Sequence, residues 1–291
     1  MELKELLPAE YRKRENYLKA NRLEAFRLFC ADNRHLFSID LYKDNAVVHL
    51  FDRINDATFR QLEDVLKVSY AVKDIFYKDR TRQELKLPEC KSKSITVTEY
   101  GNKFLINLSD YLDVGLFLDH RETRKWLEPK CKNKVVLNTF AYTGSFSIYA
   151  ARGGAERTYS VDLSKTYCEW IKKNLELNGL PPEKNWVYKM DTLEFFSYAG
   201  RKGLKFDIII IDPPTFSKNK KKNFSVQRDH PALINAALEL LNDGGFIMFS
   251  NNCTDFRLAT KEINSTSIRR LNLIPVDFAG QKPHISFIIG K

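Results

Sequence analysis

Asp212-Pro-Pro-Thr-Phe-Ser217 gathers a carboxylate, two prolines, an aromatic ring and two hydroxyls into one short stretch. Before it runs Phe206-Asp-Ile-Ile-Ile-Ile211, whose unbroken β-branched segment suits a strand buried on both faces of a parallel sheet. Asp212 then falls just past the strand's carboxyl end, where open α/β sheets bind ligands. Pro213 and Pro214 each fix φ and remove a backbone donor, so the turn is stiff and cannot extend the strand. Asp212, Pro213, Pro214 and Phe216 together form a platform for a planar substrate, with Thr215 and Ser217 beside it; the plainer alternative is an acidic turn between strand and helix. Lys218, Lys220, Lys221 and Lys222 follow at once. A basic cluster there suits a polyanionic substrate, although lysines also serve simply to solvate a loop.

A second turn, Asn138-Thr-Phe-Ala-Tyr-Thr-Gly-Ser145, leads from a strand into a helix whose N–H groups face any ligand placed there. A dinucleotide fingerprint would need G-x-G-x-x-G, and this turn has a single glycine, Gly144, between Thr143 and Ser145. A smaller adenosyl ligand fits it better than NAD. Asp162, followed by Leu163, lies 18 residues after Gly144 at the next strand end, placed to accept from ribose hydroxyls. Asp191 follows a third strand and is a candidate for the adenine amino group, with Thr192 beside it. Each acid alone could be an ordinary turn residue or cap; their recurrence at successive strand ends, with Asp212, favours a site.

The elements that must position these residues alternate as in a doubly wound sheet from Asn133 onward. Strands are expected at Val135–Asn138, Tyr159–Asp162, Trp186–Met190, Phe206–Ile211, Gly245–Ser250 and His284–Ile289. Helices are expected at Gly144–Ala151, from a Ser164 cap to Asn178, at Val226–Leu241 and at Leu258–Leu271. The last strand should pair antiparallel, because Ile274–Phe278 just before it also reads as extended. Upstream, residues 1–20 read as a charged helix, Phe37–Tyr42 and Ala46–Phe51 as strands, and Asp56–Val72 as a helix. Lys78–Ser94 is a basic stretch without periodicity, and Ile95–Asn107 a hairpin about Gly101-Asn102.

Composition bounds the function. The 291 residues carry a net charge of +10. Residues 1–118 are nearly balanced, with 20 basic against 19 acidic side chains, which leaves 27 against 18 in the remainder. No apolar run reaches membrane-spanning length, and the charged start Met1-Glu-Leu-Lys-Glu5 has no hydrophobic signal region. Five scattered cysteines without a CxxC pair argue for reduced thiols in the cytoplasm and against a metal site or disulfide frame.

The ordered set N-T-F-A-Y-T-G-S, V-D-L-S, M-D-T-L and D-P-P-T-F-S resembles the class I S-adenosylmethionine-dependent methyltransferases. Leu116-Phe-Leu-Asp-His-Arg121, Val226-Gln-Arg-Asp-His230 and Met248-Phe-Ser-Asn-Asn252 narrow the likeness to the guanine-N7 methyltransferase half of the bifunctional bacterial large-subunit ribosomal RNA methyltransferase and its stand-alone relatives. It is strong from about Ile95 to the end and weaker from Phe26 to Lys93. The resemblance implies an α/β fold: a small N-terminal α+β RNA-binding domain (1–93), a β-hairpin connector (94–118) and a Rossmann-like catalytic domain (119–291), mostly parallel with an antiparallel last strand. It implies S-adenosyl-L-methionine held by Arg121, Asn138, Phe140, Tyr142, Thr143, Gly144, Ser145, Asp162, Leu163, Asp191, Thr192 and Asp212. Arg121 is the candidate partner of the methionine carboxylate; alternatively Asp119 caps a helix and the charges face outward. The substrate implied is large-subunit ribosomal RNA before assembly, touched by Thr215, Ser217, Lys218, Lys220, Lys221, Arg228 and Asn251, with a helicase or assembly factor as a further partner.

Guanine N7 bears a free in-plane lone pair, so no base need remove a proton, and Phe216 could stack on a splayed base. The competing chemistry, methylation of cytosine C5, needs a cysteine nucleophile. Related cytosine enzymes carry it just after the fifth strand, where this chain has Ser250-Asn-Asn252 and only then Cys253. Cys253 is therefore read as structural, and a catalytically idle RNA-binding relative is the third possibility. Arg228 is expected at phosphate or in a surface ion pair, and His284 in the core or at its rim.

Overall fold

The computed structural model describes every residue except Met1, Arg82, Glu89, Asn219–Lys222 and Thr266, and the side chain of Lys218 is also left undescribed. The chain forms two compact units, Met1–Leu118 with Pro275–Gln281, and Asp119–Ile274 with Lys282–Lys291.

In the first unit α1 (Leu3–Arg12) and α2 (Glu15–Ala20) replace the single expected helix. Between them Arg14 leaves the helical region, and its guanidinium donates to the carbonyls of Arg27 and Leu28. The strands β1 (Ala25–Phe29), β2 (Phe37–Tyr42) and β3 (Asn45–Leu50) run antiparallel in turn; after α3 (Asp56–Tyr70), β4 (Asp74–Asp79) pairs parallel with β3. Asn55 caps α3 by accepting from Thr58 N. Leu3 and Leu7 of α1 and Leu62, Val65 and Leu66 of α3 bury their apolar stripes against Leu28, Ile39 and Val48 of the sheet. A hairpin, β5 (Ser94–Glu99) and β6 (Asn102–Asn107), completes the unit.

The second unit begins with a 3₁₀ turn at Leu118–His120 leading into α4 (Arg121–Leu127). It continues through β7 (Val135–Thr139), α5 (Ser145–Arg152), β8 (Arg157–Asp162), α6 (Lys165–Leu177), β9 (Asn185–Lys189), α7 (Thr192–Arg201) and β10 (Phe206–Ile211). Then come the short pair β11 (Phe216–Lys218) and β12 (Asn223–Ser225), α8 (Val226–Leu238), β13 (Leu241–Asn251), β14 (Ser267–Leu271) and β15 (Ile285–Gly290). The seven-stranded sheet has the order β14-β15-β13-β10-β7-β8-β9, parallel except for β15, which is antiparallel to both its neighbours. Ser164 caps α6 as expected, accepting from Tyr167 N. The isoleucine run feeds both faces: Ile209 and Ile211 pack with Leu233, Ile234 and Ala237 of α8, while Ile208 and Ile210 pack with Leu127, Phe146 and Ala150. Each such burial contributes about 1.5–3 kcal/mol.

Two expectations fail at the carboxyl end. Leu258–Leu271 is not a helix: only Thr260–Glu262 makes a 3₁₀ turn, and Ser267–Leu271 is the edge strand β14, fixed by pairing with β15. The last strand therefore pairs antiparallel with β13 and β14, not with Ile274–Phe278. Ile274–Phe278 instead ends in a 3₁₀ turn at Val276–Phe278, within the segment that clusters with the first unit.

Candidate active site

The sheet order reverses direction between β7 and β10, which lie side by side with Ile211 opposite Thr139. Ligands bind at such switch points, beyond the carboxyl ends of the strands. The first turn, after β7, is tightly determined. Phe140 and Tyr142 have φ of 52° and Gly144 of 81°, three left-handed residues within five. Ala141 N donates to Val161 O, Tyr142 N to Asp162 Oδ2 at 2.9 Å, and Gly144 N to Ala141 O at 2.8 Å. From α6, Asn174 donates to the carbonyl of Thr143 at 2.9 Å, and Tyr167 and Trp170 pack against Tyr142. Asn138 is buried under the turn, donating to Ser147 Oγ, which in turn meets Ser160 Oγ. Ser145 opens α5, with Gly144 at its N-cap.

Asp162 accepts from Tyr142 N with one oxygen and from Ser164 N with the other, and burial pushes its carboxyl above the usual range. Asp191 caps α7, accepting from Leu193 N at 2.9 Å, and Thr192 behind it is buried. Leu163 and Leu193 both stand exposed just beyond β8 and β9, an apolar lip on the rim.

Asp212 lies past β10, where Ser250 Oγ of β13 donates to its Oδ1 at 2.6 Å and His120 Nε2 stands 3.6 Å from its Oδ2. Pro213 is buried and Pro214 exposed. Thr215 donates to Asn252 Oδ1 at 2.7 Å, tying the turn to the end of β13. Phe216 begins β11 and is 73% exposed, an open aromatic surface. Ser217 and Lys218 follow on β11, opposite Phe224 and Asn223. Phe224 lies 6.2 Å from Phe140, so this hairpin neighbours the first turn. Lys220 and Lys221 lie outside the described residues.

Arg228 donates to Asp229 and to the carbonyl of Asn223, fastening α8 to β12, and remains largely exposed. Asn251 is buried, its Oδ1 accepting from Cys253 N; Cys253 itself is half-buried against the apolar core. Arg121 and Arg124 are wholly buried, which excludes an outward-facing start to α4. Sequence reasoning had not singled out Ser250 or His120 as contacts of Asp212, although both stand in motifs quoted for the resemblance. His284 is buried, and its ring stacks on His120.

Residues 74–272 match the family described as S-adenosylmethionine-dependent methyltransferase. The chain belongs to that family. S-Adenosylmethionine is accordingly its methyl donor, and the turn suits it. A Cβ on Gly144 would stand 2.9 Å from Ile171 Cγ2 and force the turn outward, so the backbone lies as close to α6 as it can. Two strand-end acids and the two exposed leucines offer hydroxyl acceptors and apolar surface to an adenosyl group. Among curated relatives of this methyltransferase, "Ribosomal RNA large subunit methyltransferase K" of Neisseria meningitidis serogroup B is 38% identical over 92% of this chain and 81% of its own length. "Ribosomal RNA large subunit methyltransferase K/L" of Shewanella loihica is 40% identical over 90% of this chain but only 39% of its own length. The methyltransferase thus spans about two fifths of the K/L relatives. Among solved structures, a candidate methyltransferase complexed with SAH superposes with a TM-score of 0.83, at 29% identity over 98% of this chain and 80% of that one.

Proposed function

We propose that this methyltransferase modifies guanine N7 of large-subunit ribosomal RNA. The observation that carries the reading is the carboxyl edge of β10, where a clamped carboxylate stands beside an exposed aromatic ring. The relatives that share most of the chain are named as large-subunit ribosomal RNA methyltransferases. Bound S-adenosylmethionine supplies a sulfonium methyl, an electrophile strong enough that catalysis rests on positioning in a dry site. Asp162 and the turn about Gly144 hold the adenosyl end, and Arg121 is the candidate for the carboxylate. Phe216 stacks on an unpaired base, and Asp212 with the Pro213 carbonyl accepts from the base's N–H groups. N7 needs no general base, and no residue is assigned that role. Thr215, Ser217, Arg228, Asn251 and the lysines Lys218, Lys220 and Lys221 are the candidates for contacts to RNA. We further place the reaction in the cytoplasm, on RNA before assembly and with a helicase or assembly factor opening the target. Among the described residues, no helix is long and apolar enough to cross a membrane.

The test is nucleoside mapping of ribosomal RNA from a strain lacking the chain, repeated after treatment of that RNA with purified protein and S-adenosylmethionine. The strain is expected to lack one 7-methylguanosine, which the protein restores. F216A should lower activity about 10-fold or more through lost stacking, worth about 1–3 kcal/mol per base. If instead 5-methylcytosine is the missing nucleoside and C253S abolishes its formation, the N7 reading fails. S-Adenosylmethionine binding with no methyl incorporated into any ribosomal RNA would identify an idle relative.

A further inference from the structure

Behind Asp212 lies a cluster of half-buried Asp119 with buried His120 and His284, to which the proposed function assigns no role. The rings of His120 and His284 stack with centroids 3.9 Å apart and planes at 18°. His284 Nδ1 lies 3.3 Å from Asp119 Oδ2, and His120 Nε2 lies 3.6 Å from Asp212 Oδ2. The opposite nitrogens, His120 Nδ1 and His284 Nε2, are buried without a hydrogen-bond partner among the described residues. This asymmetry bears on which ring nitrogen carries the proton. A neutral imidazole carries one N–H and one acceptor; placing each proton toward its carboxylate leaves only acceptors unpaired. A doubly protonated ring would bury an unpaired N–H and a charge against its stacked neighbour.

The three side chains bring ligand-type atoms within 4.8 Å of one another, as a metal site would. The stack argues otherwise. An ion shared by two nearly parallel rings would sit out of both planes, off the lone-pair direction that imidazole ligation requires.

We propose that neutral His120, with its proton on Nε2, is a positioning residue for methyl transfer: together with Ser250 it fixes the Asp212 carboxylate without cancelling its charge. The proposal rests on the guanine-N7 reading. There the N7 lone pair forms the new N–C bond while the C–S electron pair returns to sulfur, so the positive charge of the sulfonium passes to the purine and no proton moves. A carboxylate held at the base opposes that developing charge, and a preorganised one does so at no reorganisation cost. A neutral donor orients it, whereas an imidazolium would pair with it and cancel the effect. The 3.6 Å contact is longer than a hydrogen bond; contacts of this kind tighten when substrate is bound. Stacking on His284, itself held by Asp119, and edge contact with Phe146 fix the plane of the His120 ring.

Burial holds the His120 pKa below the usual histidine value; Asp212 and Asp119 oppose this shift, while His284 and Arg124 reinforce it. Acid should therefore switch the device off. The experiment compares wild type with His120→Gln, which keeps a donor near the Nε2 position, and His120→Phe, which keeps ring volume but no donor. Wild type is first shown to make 7-methylguanosine in ribosomal RNA from the deletion strain; any other product sinks the functional reading before a variant is made. H120F is expected to lose about 10- to 100-fold in kcat, the scale of one charge-assisted hydrogen bond. Its KM for RNA and its SAH affinity by calorimetry should stay within about twofold of wild type, since the interaction acts mainly in the transition state. H120Q should recover most of kcat, and the acid limb of the wild-type kcat profile, expected on the acid side of the ordinary histidine range, should vanish in it. Should H120F not fold, the wild-type profile and H120Q still decide. H120F with wild-type kcat, H120Q with an unchanged acid limb, loss of SAH binding in both variants, or activity abolished by a chelator and restored by zinc would each overturn the proposal.

Discussion

Gly144 shows how narrowly the turn after β7 is specified. At φ 81° any other residue is strained, and a Cβ there would press on the buried Ile171. Phe140 and Tyr142 already occupy left-handed conformations without glycine's freedom; such residues cost about 1–3 kcal/mol each and persist only where surroundings over-determine them. Here the backbone bonds to Val161 and Asp162 and the amide of Asn174 supply that determination. Gly144→Ala should therefore destabilise the protein by about 1–3 kcal/mol and weaken SAH binding about tenfold or more, since the N–H groups that open α5 would shift with the turn. Thermal melts and calorimetry check both halves. An alanine variant that melts and binds like wild type would show that the turn is looser than its dihedrals imply. The turn was legible in sequence because glycine, strand and helix sit in one window. The contacts of Asp212 were not: Ser250 stands 38 residues from it, and the His284–Asp119 pair spans 165 residues. No local pattern carries that information.

At the scale of elements the same division holds. β10 was readable because an apolar run buried on both faces has a sequence signature. β14 was not, because Ser267–Leu271 is a largely exposed edge that, among the described residues, pairs with β15 alone; strand preference at an edge is set by context more than by local propensity. A polar network across the first unit's sheet went unseen for the same reason. Arg27 of β1 donates to Asp40 of β2, His49 Nε2 of β3 lies 3.0 Å from Asp40, and Arg80 beyond β4 reaches His49 Nδ1 and Asp113. Burial would raise the Asp40 carboxyl, but Arg27 and His49 hold it down to about 2, against an ordinary 3.8. A depressed carboxylate contributes stability that is present above its unfolded pKa and lost as pH falls through its folded one. The loss should run from about pH 4 to pH 2 and amount to about 2 kcal/mol. Asp40→Asn should remove that acid dependence and destabilise the unit by about 3–5 kcal/mol at neutral pH, because Arg27 is left half-buried without its counter-charge. Denaturant melts of wild type and variant at pH 7, 4 and 2 measure it. An unchanged wild-type midpoint between pH 4 and 2 would contradict the argument.

For the whole molecule the informative quantity is charge, and its consequence is salt dependence. The excess of 27 basic over 18 acidic residues falls after residue 118, in the part that holds the candidate active site. If RNA is the substrate, binding should release counterions and weaken with salt, each neutralised phosphate adding about 0.7–0.9 to the slope of log Kd against log salt. S-Adenosylmethionine, a small ligand with no phosphate backbone, should show little of this. The two ligands thus titrate different features of the same chain. Replacing Lys218, Lys220 and Lys221 together by alanine should lower the RNA slope by about 2–3 and weaken binding to unrelated RNA sequences by the same factor, because phosphate contacts carry no sequence information. SAH affinity should not change, since none of the three is assigned to the cofactor. Filter binding of a large-subunit RNA fragment between 50 and 250 mM salt, about the range in which such slopes are resolved, provides the measurement. A slope unaltered by the triple substitution would mean that these lysines only solvate their loop, and the RNA surface would then have to lie elsewhere on the basic part of the chain.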